Sequence, residues 1–162
     1  MMNLSCDLVR LLDGYTFASA ESCTGGLIGA AVTDIPGSSK VYNGGIICYT
    51  NAVKEEVLGI NKNTLSSFGA VSAEVAEAMA LSVKKLLHSD FAVSTTGLAG
   101  PSGDEFGNPV GTVYIGVSTP KSVYVRHFVF PGDRDAVRNQ ATQTALQLVI
   151  EAIKEIKNEN HQ

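Results

Sequence analysis

Apolar residues recur along this chain in two alternating rhythms, one of helices and one of strands. Residues 3–12 read as a first helix, and after the turn at Asp13-Gly14 the run Tyr15 to Ala20 reads as a short apolar strand. A helix is expected from about Thr24 to Asp34, and Pro36-Gly37-Ser38-Ser39 breaks that pattern. Gly45-Ile46-Ile47-Cys48-Tyr49 reads as a buried strand, apolar on both faces, with Asn51 placed to cap a short helix after it. From Ser72 to Leu87 the residues Val75, Met79, Val83, Leu86 and Leu87 return at helical spacing, and Ser72 with Glu74 gives the start a capping character. Phe91 to Thr95 is a further apolar strand that runs into the glycine-rich loop beginning at Gly97. Thr112 to Ser118 and Val123 to Phe130, joined by Thr119-Pro120-Lys121, read as an antiparallel pair. A last helix starts near Asp133, with the stripe Val137, Ala141, Thr144, Leu148, Ala152 and Ile156 and a polar tail from Asn158 to Gln162.

Strands that alternate with helices and end in a hairpin predict an α/β fold: three α/β/α layers around a mixed, mostly parallel sheet of about five strands. No repeat or linker divides the chain, so one domain over 1–162 is expected. Ligands in such sheets gather beyond the carboxyl ends of the strands, which brings together the loops after Ala20, Tyr49 and Thr96.

Composition narrows the functional classes. The 162 residues are 44% hydrophobic and 17% charged, within globular ranges, and no apolar run approaches a membrane span. The net charge of −4 gives no general attraction for nucleic acid, so an anionic ligand must be small and held by a few local cations. Cys6, Cys23 and Cys48 are odd in number and unpaired in spacing, which disfavours a disulfide framework or a zinc site. With no basic leader before a small-residue cleavage site, a cytoplasmic location is expected. A homo-oligomer, a dimer foremost, is the expected assembly.

The chemistry gathers at Ala18-Ser19-Ala20-Glu21-Ser22-Cys23-Thr24-Gly25-Gly26, where a strand pattern gives way to a helix pattern. Backbone N–H groups at such a junction can hold an anion or a developing oxyanion, and Gly25 and Gly26 allow close approach. The plainer reading is a capped helix with packing glycines. Ser22 is a weak nucleophile that needs a base, and His88, His127 and His161 are poorly placed to provide one. Lys54 can serve if burial leaves its amine neutral, with Tyr49 relaying a proton or holding the amine. A solvated lysine and an ordinary strand-end tyrosine are the alternative. Cys23 is a rival nucleophile, and residue chemistry does not rank Ser22 above Ser39. Thr96 and Gly97 are candidates from the third loop, while Arg134 and Arg138, four apart on one helix face, can clamp phosphate or pair with nearby carboxylates. The loop from Gly97 to Gly111 lacks the signatures of a P-loop or a dinucleotide site, and no metal site or cofactor is expected.

These motifs, with Pro36-Gly37-Ser38-Ser39, Tyr49-Thr50-Asn51-Ala52-Val53-Lys54, Gly69-Ala70-Val71-Ser72, Thr96-Gly97-Leu98-Ala99-Gly100-Pro101, Pro109-Val110-Gly111-Thr112-Val113 and Pro131-Gly132-Asp133-Arg134, closely resemble the CinA carboxy-terminal-domain family. The resemblance covers residues from about 3 to 155, with Thr50 and Leu98 as mild departures. It implies hydrolysis of the carboxamide of nicotinamide mononucleotide to nicotinate mononucleotide and ammonia, without metal. It further implies Ser22 as nucleophile, Lys54 as base and Tyr49 as assisting hydroxyl, with Ser39, Thr96 and Arg134 touching substrate. On the same reading, Glu21 sits near the pyridinium, N–H groups from Thr24 to Gly26 face the oxyanion, and Arg134 or Arg138 meets the phosphate. An amidase of another substrate and a competence-related binding module are the other readings.

Overall fold

The computed structural model describes residues 3–160. Helix α1 (Leu4–Leu11) leads into β1 (Phe17–Glu21), α2 (Leu27–Thr33), a 3₁₀ turn (Ser38–Lys40) and β2 (Tyr42–Ile47). Three helices follow, α3 (Asn51–Glu56), α4 (Lys62–Phe68) and α5 (Ala73–Leu86), then β3 (Phe91–Gly97), β4 (Thr112–Ser118), β5 (Val123–Val129) and α6 (Arg134–Asn160).

The five strands form one sheet in the order β2-β1-β3-β4-β5. β1 pairs in parallel with β2 and β3, and the remaining two pairings are antiparallel, so β4 alone runs against the other four. The expected mixed, mostly parallel sheet between helical layers is the observed architecture. The chain leaves β1 through α2 to reach β2 on one side, then crosses back through α3, α4 and α5 to β3 on the other side. The carboxyl end of β1 is therefore the switch point at which a crevice opens.

Two cores sandwich the sheet. Leu8, Ile28, Val32, Leu146, Val149 and Ile153, from α1, α2 and α6, pack with Leu12 at the C-cap of α1 and with Phe17, Phe91, Val93 and Ile115 on one face. Val75, Met79 and Val83 of α5 pack with Ala18, Ala20 and Ala92 on the other. Every residue of β1 is buried, because the strand is central and covered on both sides.

Several sequence expectations shift here. The strand expected at Gly45 to Tyr49, apolar and buried on both faces, is found instead at Tyr42–Ile47, and its positions alternate between half-buried and exposed. It lies at the sheet margin, where helices centred on the inner strands give partial cover. Thr50, not Asn51, caps α3, its hydroxyl accepting from the Val53 N–H at 3.3 Å. The seven-residue α4 was not foreseen: it buries Leu65 alone, and less than two turns leave little periodic signal. On α6, Thr144 and Leu148 are half-buried while Ala145, Leu146, Val149, Ile150 and Ile153 are buried. The helix meets both α1 and the sheet, which broadens its buried face beyond the expected stripe. It continues through Asn158 to Asn160, where a polar tail was expected, and His161 and Gln162 lie outside the described residues.

At Gly116 the backbone of β4 passes close beneath α5, since a Cβ there would stand 2.6 Å from the Ala76 carbonyl oxygen of α5 and 2.6 Å from Ser94 Oγ. Gly116→Ala is expected to lower unfolding stability by about 1–3 kcal/mol through overpacking, read as a lower denaturant midpoint at unchanged slope.

Candidate active site

The turn after β1 is built around a buried carboxylate. Glu21 Oε1 accepts from the N–H groups of Gly26 at 3.2 Å and Ile28 at 2.9 Å, and Oε2 accepts from Gly29 at 3.1 Å. These amides open α2, whose first turn would otherwise lack partners. Thr24 Oγ1 donates to Glu21 Oε1 at 2.7 Å and lies 2.8 Å from Thr95 Oγ1, tying the turn to β3. The Ser22 N–H donates to the Thr95 carbonyl at 2.9 Å, and the Cys48 N–H donates to the Glu21 carbonyl at 2.9 Å. Backbone bonds thus bridge the ends of β1, β2 and β3 just where the strands finish.

Lys54 crosses this bridge. It is 1% exposed, and its Nζ lies 2.9 Å from Ser22 Oγ and 2.5 Å from the Cys48 carbonyl oxygen. Burial pushes the amine below its ordinary value of 10.5, since a charged ammonium loses its hydration there and has no carboxylate partner among the described residues. In the neutral state the amine donates one hydrogen to the Cys48 carbonyl and presents its lone pair to the Ser22 hydroxyl. Cys23 is the opposite case. Burial lifts its thiol to about 11, leaving it protonated and a poor nucleophile near neutral pH.

Ser22, Lys54, Tyr49, Thr96, Gly97 and Arg134 line one cavity of about 390 Å³, together with Cys23, Ala70, Val71 and the loop from Leu98 to Ser102. This volume suits a small molecule, typical sites being about 300–1,000 Å³. The three loops expected to converge do so. Two details differ within the cavity. The Tyr49 hydroxyl accepts from Arg134 Nη2 at 3.0 Å, so the partner that holds the Lys54 amine is the Cys48 carbonyl rather than Tyr49. The Thr96 hydroxyl donates to the Ala70 carbonyl at 2.7 Å, fixing the loop that forms the facing wall.

Six sequence candidates fall outside the cavity lining, each for a definite reason. Glu21 is consumed by the amides of α2 and cannot face a ligand ring. Thr24 is fully buried between Glu21 and Thr95. Gly25 and Gly26 hold φ of 57° and 105°, so they serve the turn itself, and their N–H groups are already given to Ser22 O and Glu21. Ser39 is exposed beside Val41, which pairs with the first residue of β1, so it sits at the amino end of a strand whose carboxyl end carries Ser22. That is roughly 16 Å away at about 3.3 Å per residue. Arg138 grips the carbonyls of Cys23 and Thr24 from behind the turn. Arg134, whose Nη1 donates to the Gly100 carbonyl at 2.7 Å, is the arginine at the cavity. Neither arginine pairs with a carboxylate among the described residues.

Residue chemistry gave no reason to select Ala70, Val71 or the Cys48 carbonyl. Backbone acceptors and small apolar walls leave no trace in residue type, and only the Gly69-Ala70-Val71-Ser72 motif hinted at the first two.

A three-layer α/β/α domain with a buried lysine against a serine at the switch point of its sheet is the class of protein this geometry defines. The CinA C-terminal domain family model matches residues 4–153, and the chain belongs to that family. It is 48% identical over 144 residues to a competence-damage inducible protein of Caldanaerobacter subterraneus, covering 88% of this chain and 35% of that one. A CinA-like protein of Leptospira biflexa is 44% identical over 145 residues, covering 89% and 35%. The chain thus spans about a third of the length of these curated relatives. Among solved structures, a competence-damaged protein (CinA) superfamily protein from Klebsiella pneumoniae superposes with TM-score 0.92 at 30% identity, covering 96% of this chain and 99% of that one. The competence/damage inducible protein CihA from Agrobacterium tumefaciens gives 0.87 at 35% identity, covering 95% and 97%.

The central role of Glu21 has a direct test. Glu21→Gln turns an amide toward donors that need an acceptor, and orphaned buried groups cost about 1–3 kcal/mol each. A loss of about 2–4 kcal/mol in chemical denaturation is expected, against nearly none if the carboxylate were a solvated ligand contact.

Proposed function

We propose that the protein is an amidohydrolase that converts nicotinamide mononucleotide and water to nicotinate mononucleotide and ammonia, with Ser22 as nucleophile and Lys54 as base. The observation that carries this reading is the 2.9 Å contact between Ser22 Oγ and a fully buried lysine amine whose pKa is lowered by desolvation. As Ser22 Oγ bonds to the carboxamide carbon, its proton passes to Lys54 Nζ. Lys54 then delivers that proton to the leaving nitrogen, the C–N bond breaks and ammonia departs. A water molecule attacks the resulting ester, with Lys54 again taking its proton, and Ser22 is regenerated as the acid is released.

The substrate assignment rests on the family resemblance together with Arg134. Its guanidinium lies at the cavity without a carboxylate partner among the described residues and is suited to a phosphate. Tyr49, bonded to Arg134 and more than half exposed, is assigned to ligand contact beside it. The pyridinium has no acidic partner in the lining, so the aliphatic and backbone walls from Ala70, Val71 and Leu98 receive the ring.

Incubation with nicotinamide mononucleotide is expected to release ammonia and nicotinate mononucleotide in equal amounts, with nicotinamide riboside turned over far more slowly. Arg134→Ala is expected to abolish that preference for the phosphorylated substrate. Folded Ser22→Ala is expected to be inactive, and Lys54→Met to lose about 10²–10⁴-fold in turnover. Because the protonated amine cannot act as a base, kcat/KM should fall as pH drops through the lowered Lys54 pKa, which lies below 10.5. Full turnover in a folded Lys54→Met protein would sink the mechanism, and equal rates on nucleotide and riboside would sink the substrate.

A further inference from the structure

The part of the cavity assigned to the ring is a thin partition. Ala70, Val71 and Leu98 face the cavity of about 390 Å³ and also line a second hollow of about 370 Å³, on the side of Leu65 and Phe106. A wall with space on both sides lacks packed atoms behind it, so its hydrogen bonds decide where it stands. Leu98 is secured at the base of its loop, its N–H donating to the Thr112 carbonyl and its carbonyl accepting from the Gly111 N–H, both at 2.8 Å. Residues 69–71 connect α4 to α5 outside any helix or strand, so their carbonyls need other partners.

Each of these three carbonyls is taken by a different side chain. Ser72 Oγ donates to the Gly69 carbonyl at 2.8 Å, Thr96 Oγ1 to that of Ala70 at 2.7 Å, and Asn108 Nδ2 to that of Val71 at 3.3 Å. The first bond is local and the second comes from β3. The third is the one hydrogen bond, among the described residues, that ties this wall to the loop from Leu98 to Val110. Asn108 Nδ2 also donates to Asp104 Oδ2 at 2.8 Å, and Asp104 Oδ1 accepts from the N–H groups of Phe106 and Asn108, both at 3.1 Å. A carboxylate and a carbonyl only accept, so the Asn108 amide turns its NH2 to both and spends its two hydrogens there. The ring of Phe106 presses the same loop onto the wall, since a Cβ on Gly69 would stand 2.7 Å from it. Asn108 itself lines neither hollow.

We propose that Asn108 is a positioning residue which, oriented by Asp104, sets the place of Val71 relative to Leu98 and so the fit of the slot that receives a planar ring. The proposal rests on the reading of Ser22 as nucleophile and of this wall as the ring subsite. It assigns ring specificity to a residue that never touches substrate. Without the two donated hydrogens, Val71 loses its tie to the loop and the slot relaxes toward the second hollow. Ser22 and Lys54 are held separately, through the Thr95 and Cys48 carbonyls, and keep their contact.

The test measures burst acylation of Ser22 by 4-nitrophenyl acetate and by 4-nitrophenyl nicotinate, which carries a pyridine ring on its acyl group. With either ester Ser22 Oγ bonds to the carbonyl carbon, its proton passes to Lys54 and 4-nitrophenolate leaves. The ratio of the two rates, each corrected for the ester's reactivity toward hydroxide, reports the ring slot and cancels changes in the dyad or in the folded fraction. Wild type is expected to favour the nicotinate ester, and Asn108→Ala to lower that ratio by about 10-fold, the lower end of what pocket fit supplies. Asn108→Asp, nearly isosteric but without hydrogens to donate, should lower it at least as far. With nicotinamide mononucleotide the same variants should raise KM by about 10-fold and leave most of kcat. A wild-type ratio in either variant, or a wild type without preference for the ring, overturns the proposal. Should wild type favour the nicotinate ester but leave nicotinamide mononucleotide intact, the substrate assignment fails while the role of Asn108 is still decided by the ratio. Absence of acylation at Ser22 in wild type overturns both.

Discussion

A carboxylate buried at the end of the central strand is the constraint on which the rest of the site depends. Glu21 is 2% exposed and collects three amide donors from the start of α2, a threonine hydroxyl and the Ser19 hydroxyl. A buried carboxylate is tolerable only when its oxygens are fully engaged. That requirement fixes where α2 begins, which in turn fixes the turn from Ser22 to Gly26. Gly25 and Gly26 supply the positive φ values the turn demands, and Thr24 fastens it to β3 through Thr95.

With the turn held from below, the lysine is held from beside. Lys54 reaches the serine because the Cys48 N–H is bonded to the Glu21 carbonyl, bringing the Cys48 carbonyl to where the amine needs a partner. The same placement strips water from the amine, favouring the neutral form. Geometry and protonation state therefore have one cause, the burial of a long cationic side chain at the junction of three strand ends. Arg138 completes the arrangement from the far side of the turn, and Arg134 stands a helical turn away at the cavity. Successive turns of α6 thereby divide the labour, one serving the backbone and the other the ligand space.

Much of this was legible before any coordinates. Helices α1, α5 and α6 and strands β1, β3, β4 and β5 follow from apolar periodicity, and the convergence of the loops after Ala20, Tyr49 and Thr96 follows from the rule on parallel strand ends. Ser22, Lys54 and Arg134 could be singled out because each has a residue type suited to a task. Glu21 was misread as a ligand group for the same reason: a carboxylate looks alike in sequence whether it faces a ligand or three amides. Ser39 lies on a motif as distinctive as that of Ser22, yet the connection through α2 delivers it to the opposite end of β1. Tyr49 and Lys54, close in sequence, part company because Tyr49 remains at the surface with Arg134 while Lys54 turns inward one helical turn later.

The amino-acid sequence by itself determined the layer architecture and the loops that meet, because hydrophobic period, turn residues and the alternation of strands with helices are local or nearly local properties. Tertiary structure alone decided which polar groups were spent on the fold and which were left for a ligand. That division depends on backbone carbonyls and amides such as those of Cys48, Cys23 and Thr24, whose partners come from elements far away in the chain. Every residue except proline carries the same backbone groups, so residue type does not distinguish an amide that is engaged from one that remains free.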